Sequence, residues 1–144
     1  MDRFITTPTR AWLEARIRQC SARFLFASPY VGTFLGALAK LLPAAVSTTL
    51  LTRTDLRDFA LGSSDIEALC DFARCGVQVL SLAGLHAKVY VLDDKAALVT
   101  SANATYSGMT RNWECGVATE DRREVEELAN VLLSGFGARH ALEP

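Results

Sequence analysis

The segment GLHAKVYVLDDKAALVTSANATYSGMTRNWECGV, residues 84–117, gathers the side chains best suited to act on a substrate. It holds a nucleophile or base in His86, a fixed cation in Lys88, donors in Ser101 and Asn103, and a carboxylate in Glu114. Strand side chains alternate faces, so His86 and Lys88 share a side while Asp93 has the opposite parity. A hairpin turning on Asp94-Lys95 pairs Asp93 with Ala96. Lys88 then falls opposite Ser101 and His86 opposite Asn103, and opposed residues share a face. Glu114 and Asn112 follow a short loop later. One cation with neutral donors suits an anionic group with several oxygens, such as a phosphodiester. Glu114 can orient the imidazole by accepting its Nδ1–H. The set suggests phosphoryl transfer through histidine, with no metal and no cofactor. The adjacent carboxylates Asp93 and Asp94 leave a divalent-metal nuclease as the competing mechanism.

His86-x-Lys88-x4-Asp93, followed by Ser101-x-Asn103 and Asn112-x-Glu114, resembles the HKD motif of the phospholipase D superfamily, in its single-motif bacterial nuclease-like branch. The detailed match covers about 30 residues. The resemblance implies an α/β phospholipase D-like fold, a mixed β-sheet flanked by helices on both faces. It also implies that His86 forms a phosphohistidine, that Lys88 and Asn103 bind phosphate oxygens, and that Glu114 orients His86. Ser101, Asp93 and Asn112 become supporting residues, Asp93 as a structural hydrogen-bonder. Two departures stand out. The family usually has Gly before the Ser, where this chain has Thr100, so a slacker backbone is expected there. Many members carry two motifs, and this chain has one. Single-motif members tend to be short nucleases that dimerise so that two motifs share one site. The implied protein is a homodimeric DNA (or RNA) phosphodiesterase. A restriction, repair or phage-defence system would suit it, with an ATPase or helicase as partner.

These residues must be positioned by the elements around them. RFLFAS (23–28), VSTTLLT (46–52) and VQVLSL (77–82) read as buried strands separated by helical patterns, which implies parallel strands with helices packed on them. The first helix starts at Thr9 as cap, with Leu13, Ile17 and Cys20 inward. The second turns Phe34, Leu35, Leu38, Leu41 and Leu42 inward and stops near Pro43. A polar loop precedes a third helix capped at Ser63 or Ser64 and ending at Gly76. KVYVLD (88–93) and AALVTSA (96–102) form a hairpin, ECGVAT (114–119) is a further strand, and Asp121 caps a last helix ending at Gly135 or Gly137. One domain over residues 1–144 follows.

The chain has 144 residues, half of them apolar, and 15 basic against 16 acidic side chains. That balance excludes a strongly cationic nucleic-acid binder but permits a local basic groove. Twelve of the bases are Arg, which suits bidentate phosphate recognition. Tyr30 and Arg53, after strand ends where open α/β sheets place ligands, and Arg111 are candidate substrate contacts. The first helix is basic at Arg10, Arg16 and Arg18, a face for nucleic acid, an anionic membrane or solvent. No CxxC occurs among Cys20, Cys70, Cys75 and Cys115 and only two His could help bind a metal, so no zinc site is expected and buried free thiols are. MDRFITTPTR does not read as a signal peptide, and a cytoplasmic location without membrane contact is the expectation. A phospholipase-type phosphatidyl hydrolase and a non-catalytic scaffold subunit remain the alternatives.

Overall fold

The computed structural model describes residues 2–135. In chain order the elements are β1 (Phe4–Thr6), α1 (Thr9–Gln19), β2 (Arg23–Ala27), α2 (Phe34–Leu41), β3 (Ser47–Thr52), α3 (Leu56–Ala60), α4 (Ile66–Arg74), β4 (Gln78–Ser81), β5 (Val89–Leu92), β6 (Ala96–Thr100), β7 (Cys115–Thr119) and α5 (Arg122–Ser134). One turn of π-helix, Ser107–Arg111, lies between β6 and β7. The strands make a single sheet in the order β1-β7-β6-β5-β2-β3-β4.

The alternating first half gives the parallel set β2, β3 and β4. The second half adds β5, β6, β7 and β1 as antiparallel neighbours. β2 is apolar on both faces because both are covered. Phe24, Phe26, Leu50, Val79 and Tyr90 pack against Leu13 and Ile17 of α1, Phe34, Leu35 and Leu38 of α2, and Leu69 and Phe72 of α4. Leu25, Leu51, Val91 and Ala97 pack against Val125, Ala129 and Leu132 of α5. Helices therefore flank both faces. The strand directions bring the C-terminal ends of β2, β3, β4 and β6 and the N-terminal ends of β5 and β7 to one end of the sheet.

Several expectations are corrected. β1 was not expected; it pairs Phe4 with Val117 at the sheet edge, too short to carry a period. The polar stretch after β3 contains α3, capped by the Asp55 carboxylate on Arg57 N–H. α4 is capped by Asp65, one residue beyond the expected serines, because its carboxylate reaches Ala68 N–H. α1 begins at Thr9, not after it, and the Thr9 hydroxyl caps nothing. Cys20 is buried, but Cys70, Cys75 and Cys115 are exposed. His140 lies outside the described residues. Among the described residues no helix is long and apolar enough to cross a membrane.

Candidate active site

The hairpin register differs from expectation by one residue. Leu92 pairs with Ala96 and Val89 with Val99, so Asp93, Asp94 and Lys95 form a three-residue turn. Lys88 therefore lies opposite Thr100, whose N–H donates to the Lys88 carbonyl at 3.0 Å, and not opposite Ser101. His86 correspondingly falls short of Asn103 in the ladder. The cause is Asp93, which leaves the strand at φ 54°. Asp tolerates that left-handed geometry better than most residues. The ladder ends at Thr100, and the chain bends over the next residues. The buried Tyr90 hydroxyl pins that bend by donating to the Ala102 carbonyl at 2.9 Å. Burial pushes the Tyr90 phenol far above its ordinary pKa, so it stays a donor.

The chemistry-bearing residues gather around this bend, at the sheet end where β2, β5, β6 and β7 meet. His86 is exposed, and the Lys88 ammonium sits 3.4 Å from Nδ1 and 3.5 Å from Nε2. Nearly equidistant from both nitrogens, it bonds squarely to neither. The ring stays open to a substrate. Asn103 is half-buried beyond β6. Its Oδ1 lies 3.5 Å from the Tyr30 N–H and from the Ser28 hydroxyl, which leaves the Nδ2 donors for a ligand. Ser28 also accepts from Ala104 N–H at 2.9 Å and donates to the Tyr30 carbonyl at 2.6 Å, tying the end of β2 to the segment after β6.

Glu114 is 9 % exposed, and its carboxylate accepts from the Ser101 hydroxyl. A buried carboxylate without a partner costs several kcal/mol, so this bond is what keeps Glu114 in place. The Thr7 hydroxyl accepts from Glu114 N–H at 2.7 Å and donates to the Asn112 carbonyl at 2.7 Å, fixing the start of β7. Glu114 bonds Ser101 here and not His86.

The slack expected at Thr100 does not occur. Thr100 pairs with Gly116, and a Cβ placed on Gly116 would lie 2.6 Å from Thr100 Cβ and 2.7 Å from the Val99 carbonyl. Position 116 has no room for a side chain, and Thr100 fills the space beside it. Gly116→Ala is expected to cost about 1–3 kcal/mol by overpacking. Thr100→Gly in the same chain should remove the clash with Thr100 Cβ but not that with the Val99 carbonyl, so a double-mutant cycle on urea midpoints should show a coupling smaller than the Gly116→Ala loss. Additive losses would show that the two positions do not share the space. Gly108 has a similar role behind Asn103. A Cβ there would meet the Asn103 carbonyl at 2.5 Å, so the π-helical turn presses directly on the backbone that presents the amide.

Asp93 stands at the far end of β5 from His86. Its carboxylate accepts from the N–H groups of Ser21, Ala22 and Arg23 at 2.9, 2.8 and 2.9 Å. Asp94 turns elsewhere, to Arg122 at 3.0 Å, so the two carboxylates form no ligand pair. Arg53 donates to the Asp58 carboxylate from Nε at 3.1 Å and from Nη2 at 2.8 Å, and its guanidinium lies 5.2 Å from the Tyr30 ring centre. Tyr30 and Arg53 thus make one stacked unit beside Asn103. Arg111 is exposed and bonds the Ser107 hydroxyl at 2.9 Å, while Asn112 contributes backbone contacts. Ser28, Thr7 and Tyr90 build the site without being foreseen in those roles. Only the position of Ser28 after a strand end signalled it.

The family model for the cardiolipin synthase, phospholipase D-like domain matches residues 13–134. Among solved structures, Nuc of Salmonella typhimurium, a phospholipase D family member, is 16 % identical, with TM-score 0.79, 99 % of this chain covered and 97 % of that one. NucT of Helicobacter pylori is 16 % identical, with TM-score 0.75 and coverages of 96 % and 97 %. Phosphatidylserine synthase of Haemophilus influenzae is 14 % identical, with TM-score 0.74, 96 % of this chain covered and 39 % of that one. No curated protein sequence matches the chain.

Proposed function

Since the chain belongs to the phospholipase D-like family, we propose that it is a metal-independent phosphodiesterase that cleaves DNA through a phosphohistidine, at a site completed by a second copy of the chain. The observation that carries this reading is the open imidazole of His86 beside Lys88, at the sheet end that also holds Asn103 and the Glu114–Ser101 pair. Lys88 Nζ and Asn103 Nδ2 bind the non-bridging oxygens. His86 Nε2 attacks phosphorus, the P–O bond to one strand breaks, and the leaving oxygen takes a proton from the second histidine. That histidine, now a base, takes a proton from water, whose oxygen attacks phosphorus and returns His86 free. Glu114 accepts Nδ1–H when His86 turns to attack, exchanging its bond to Ser101 for one that stabilises the imidazolium.

A phosphatidyl-group reaction is the second reading, favoured by the description of the matching family model and by the Haemophilus neighbour. Incubation with labelled single- and double-stranded DNA, RNA and phosphatidylglycerol vesicles, each in excess chelator, separates the two. We expect DNA cleavage to persist in chelator, because protein donors and not a metal hold the phosphate. Loss of cleavage in chelator with recovery in Mg²⁺ would overturn the mechanism. Turnover of vesicle lipid alone would overturn the substrate. A DNA-translocating ATPase or a phage-defence assembly is the context we propose for it, the partner there supplying the choice of sequence.

A further inference from the structure

α1 and α2 lie side by side on one face of the sheet, and both begin at its catalytic end. α1 follows β1 and Thr7, which holds Glu114, and α2 follows the Ser28–Tyr30 segment that holds Asn103. Between them runs a groove of about 530 Å³. Arg10, Arg18 and Lys40 line it against a single carboxylate, Glu14. In a chain of net charge -1 such a local excess of cations is notable. Of the basic residues on α1, Arg16 is spent elsewhere, on Glu120 at 2.6 Å and over the Trp12 ring. Arg10 is fixed at the catalytic end, 2.5 Å from Glu14 and 5.8 Å from the ring centre of Tyr106, three residues beyond Asn103. Arg18 is exposed with only a 3.8 Å contact to Glu14, and Lys40 makes no ion pair among the described residues. The groove floor contains Gly36, where an added Cβ would meet nothing within 4 Å. A helix-interior glycine costs about 0.5–1 kcal/mol relative to alanine, and here it keeps the floor open.

We infer that this groove holds the phosphate backbone of the nucleic-acid strand on one side of the scissile bond. The inference rests on the nuclease reading and extends it by naming the path the strand takes. Arg10 and Arg18 are eight residues apart on one helix, about 12 Å at 1.5 Å per residue, so the cations track a chain leading away from the catalytic end. A concave channel between two helices fits a polymer strand. A bilayer would need a convex face with apolar side chains among the bases.

The test uses Arg18→Glu/Lys40→Glu and, separately, Gly36→Leu, which fills the floor without changing any charge. None of these residues touches the catalytic cluster. Binding of a fluorescent 12-nucleotide single strand is measured by anisotropy in a His86→Ala background, and hydrolysis of bis(p-nitrophenyl) phosphate in the active protein. We expect the charge variant to bind at least tenfold more weakly and to lose about 1.4 from the slope of log K against log salt, roughly 0.7 per lost phosphate contact. Gly36→Leu should weaken binding while leaving that slope nearly unchanged. Both should hydrolyse the small diester as wild type does. Unchanged strand binding in both variants would overturn the groove even if the enzyme is a nuclease. So would loss of anionic-vesicle binding alone. Failure of the wild type to hydrolyse any diester would instead strike the nuclease reading, and the anisotropy result would still decide the groove.

Discussion

Mixing wild-type chains with His86→Ala chains is expected to lower activity as the square of the wild-type fraction. The pure variant should fall by about 10⁴-fold or more, because nucleophile and acid are lost together. In-line displacement needs an acid on the side of phosphorus opposite the nucleophile, and His86 is the only histidine among the described residues. On the proposed dimeric site a two-fold related copy would supply it with the same neighbours, since an isologous interface repeats one patch on both chains. The sheet offers a surface for that pairing. α5 covers β5 and the start of β6 but leaves Phe4, Val117 and Val99 exposed at 67 %, 42 % and 43 %, in lateral register across β1, β7 and β6. Trp113, two residues before β7, is 82 % exposed. Apolar side chains grouped on a solvent-facing sheet are what a partner surface is made of. Heterodimers would hold a nucleophile without an acid, or the reverse, hence the square law. A linear fall, or full activity from a verified monomer, would show that each chain carries a complete site. If the proposed dimer forms through this face, Val117→Asp should yield monomers and remove activity while circular dichroism stays unchanged.

What the sequence made legible follows from the strength of local signals. The parallel half was readable because β2 and β3 are continuous apolar or β-branched runs between amphipathic helices. The residue types of the site were readable because His86, Lys88, Ser101, Asn103 and Glu114 fall within 29 positions. Their exact facing was not. Period-2 parity locates side chains only if the turn length is known, and Asp93 in left-handed geometry lengthened the turn by one residue. The slip moved Lys88 from Ser101 to Thr100, and a bend beyond β6, invisible to periodicity, carries Ser101 to Glu114. Contacts spanning most of the chain were equally hidden. Thr7 reaches Glu114 across 107 residues, and Ser28 reaches Ala104 across 76, and neither hydroxyl has a local pattern to announce it. The close approach of Thr100 to Gly116 was hidden in the same way, since it joins neighbouring strands through a register the sequence does not print.

Asp93→Asn is expected to lower stability by about 2 kcal/mol at pH 7 while leaving the activity of each folded molecule unchanged. Asp93 is 6 % exposed, and burial alone would raise its pKa. The N–H groups of Arg23, Ser21 and Ala22, with the Cys20 thiol, outweigh burial and hold the carboxyl at about 2, below its ordinary 3.8. Burial and the nearby carboxylate in turn push the Cys20 thiol up to about 11, so it remains a neutral donor. A carboxyl depressed on folding adds stability above its unfolded pKa and loses it as pH falls through the folded one. The interval from 3.8 to about 2 corresponds to about 2 kcal/mol. Wild type should therefore lose this increment between pH 4 and pH 2, and the variant, lacking the titrating group, should not. At pH 7 the Tm difference should be roughly 6–10 °C for a domain of this size, shrinking toward zero near pH 2. The effect is structural because those three N–H groups start β2, the strand whose other end carries Ser28 to the catalytic residues. Equal Tm values at pH 7 would remove this role. A collapse of activity at unchanged Tm would mean that Asp93 acts on the substrate after all.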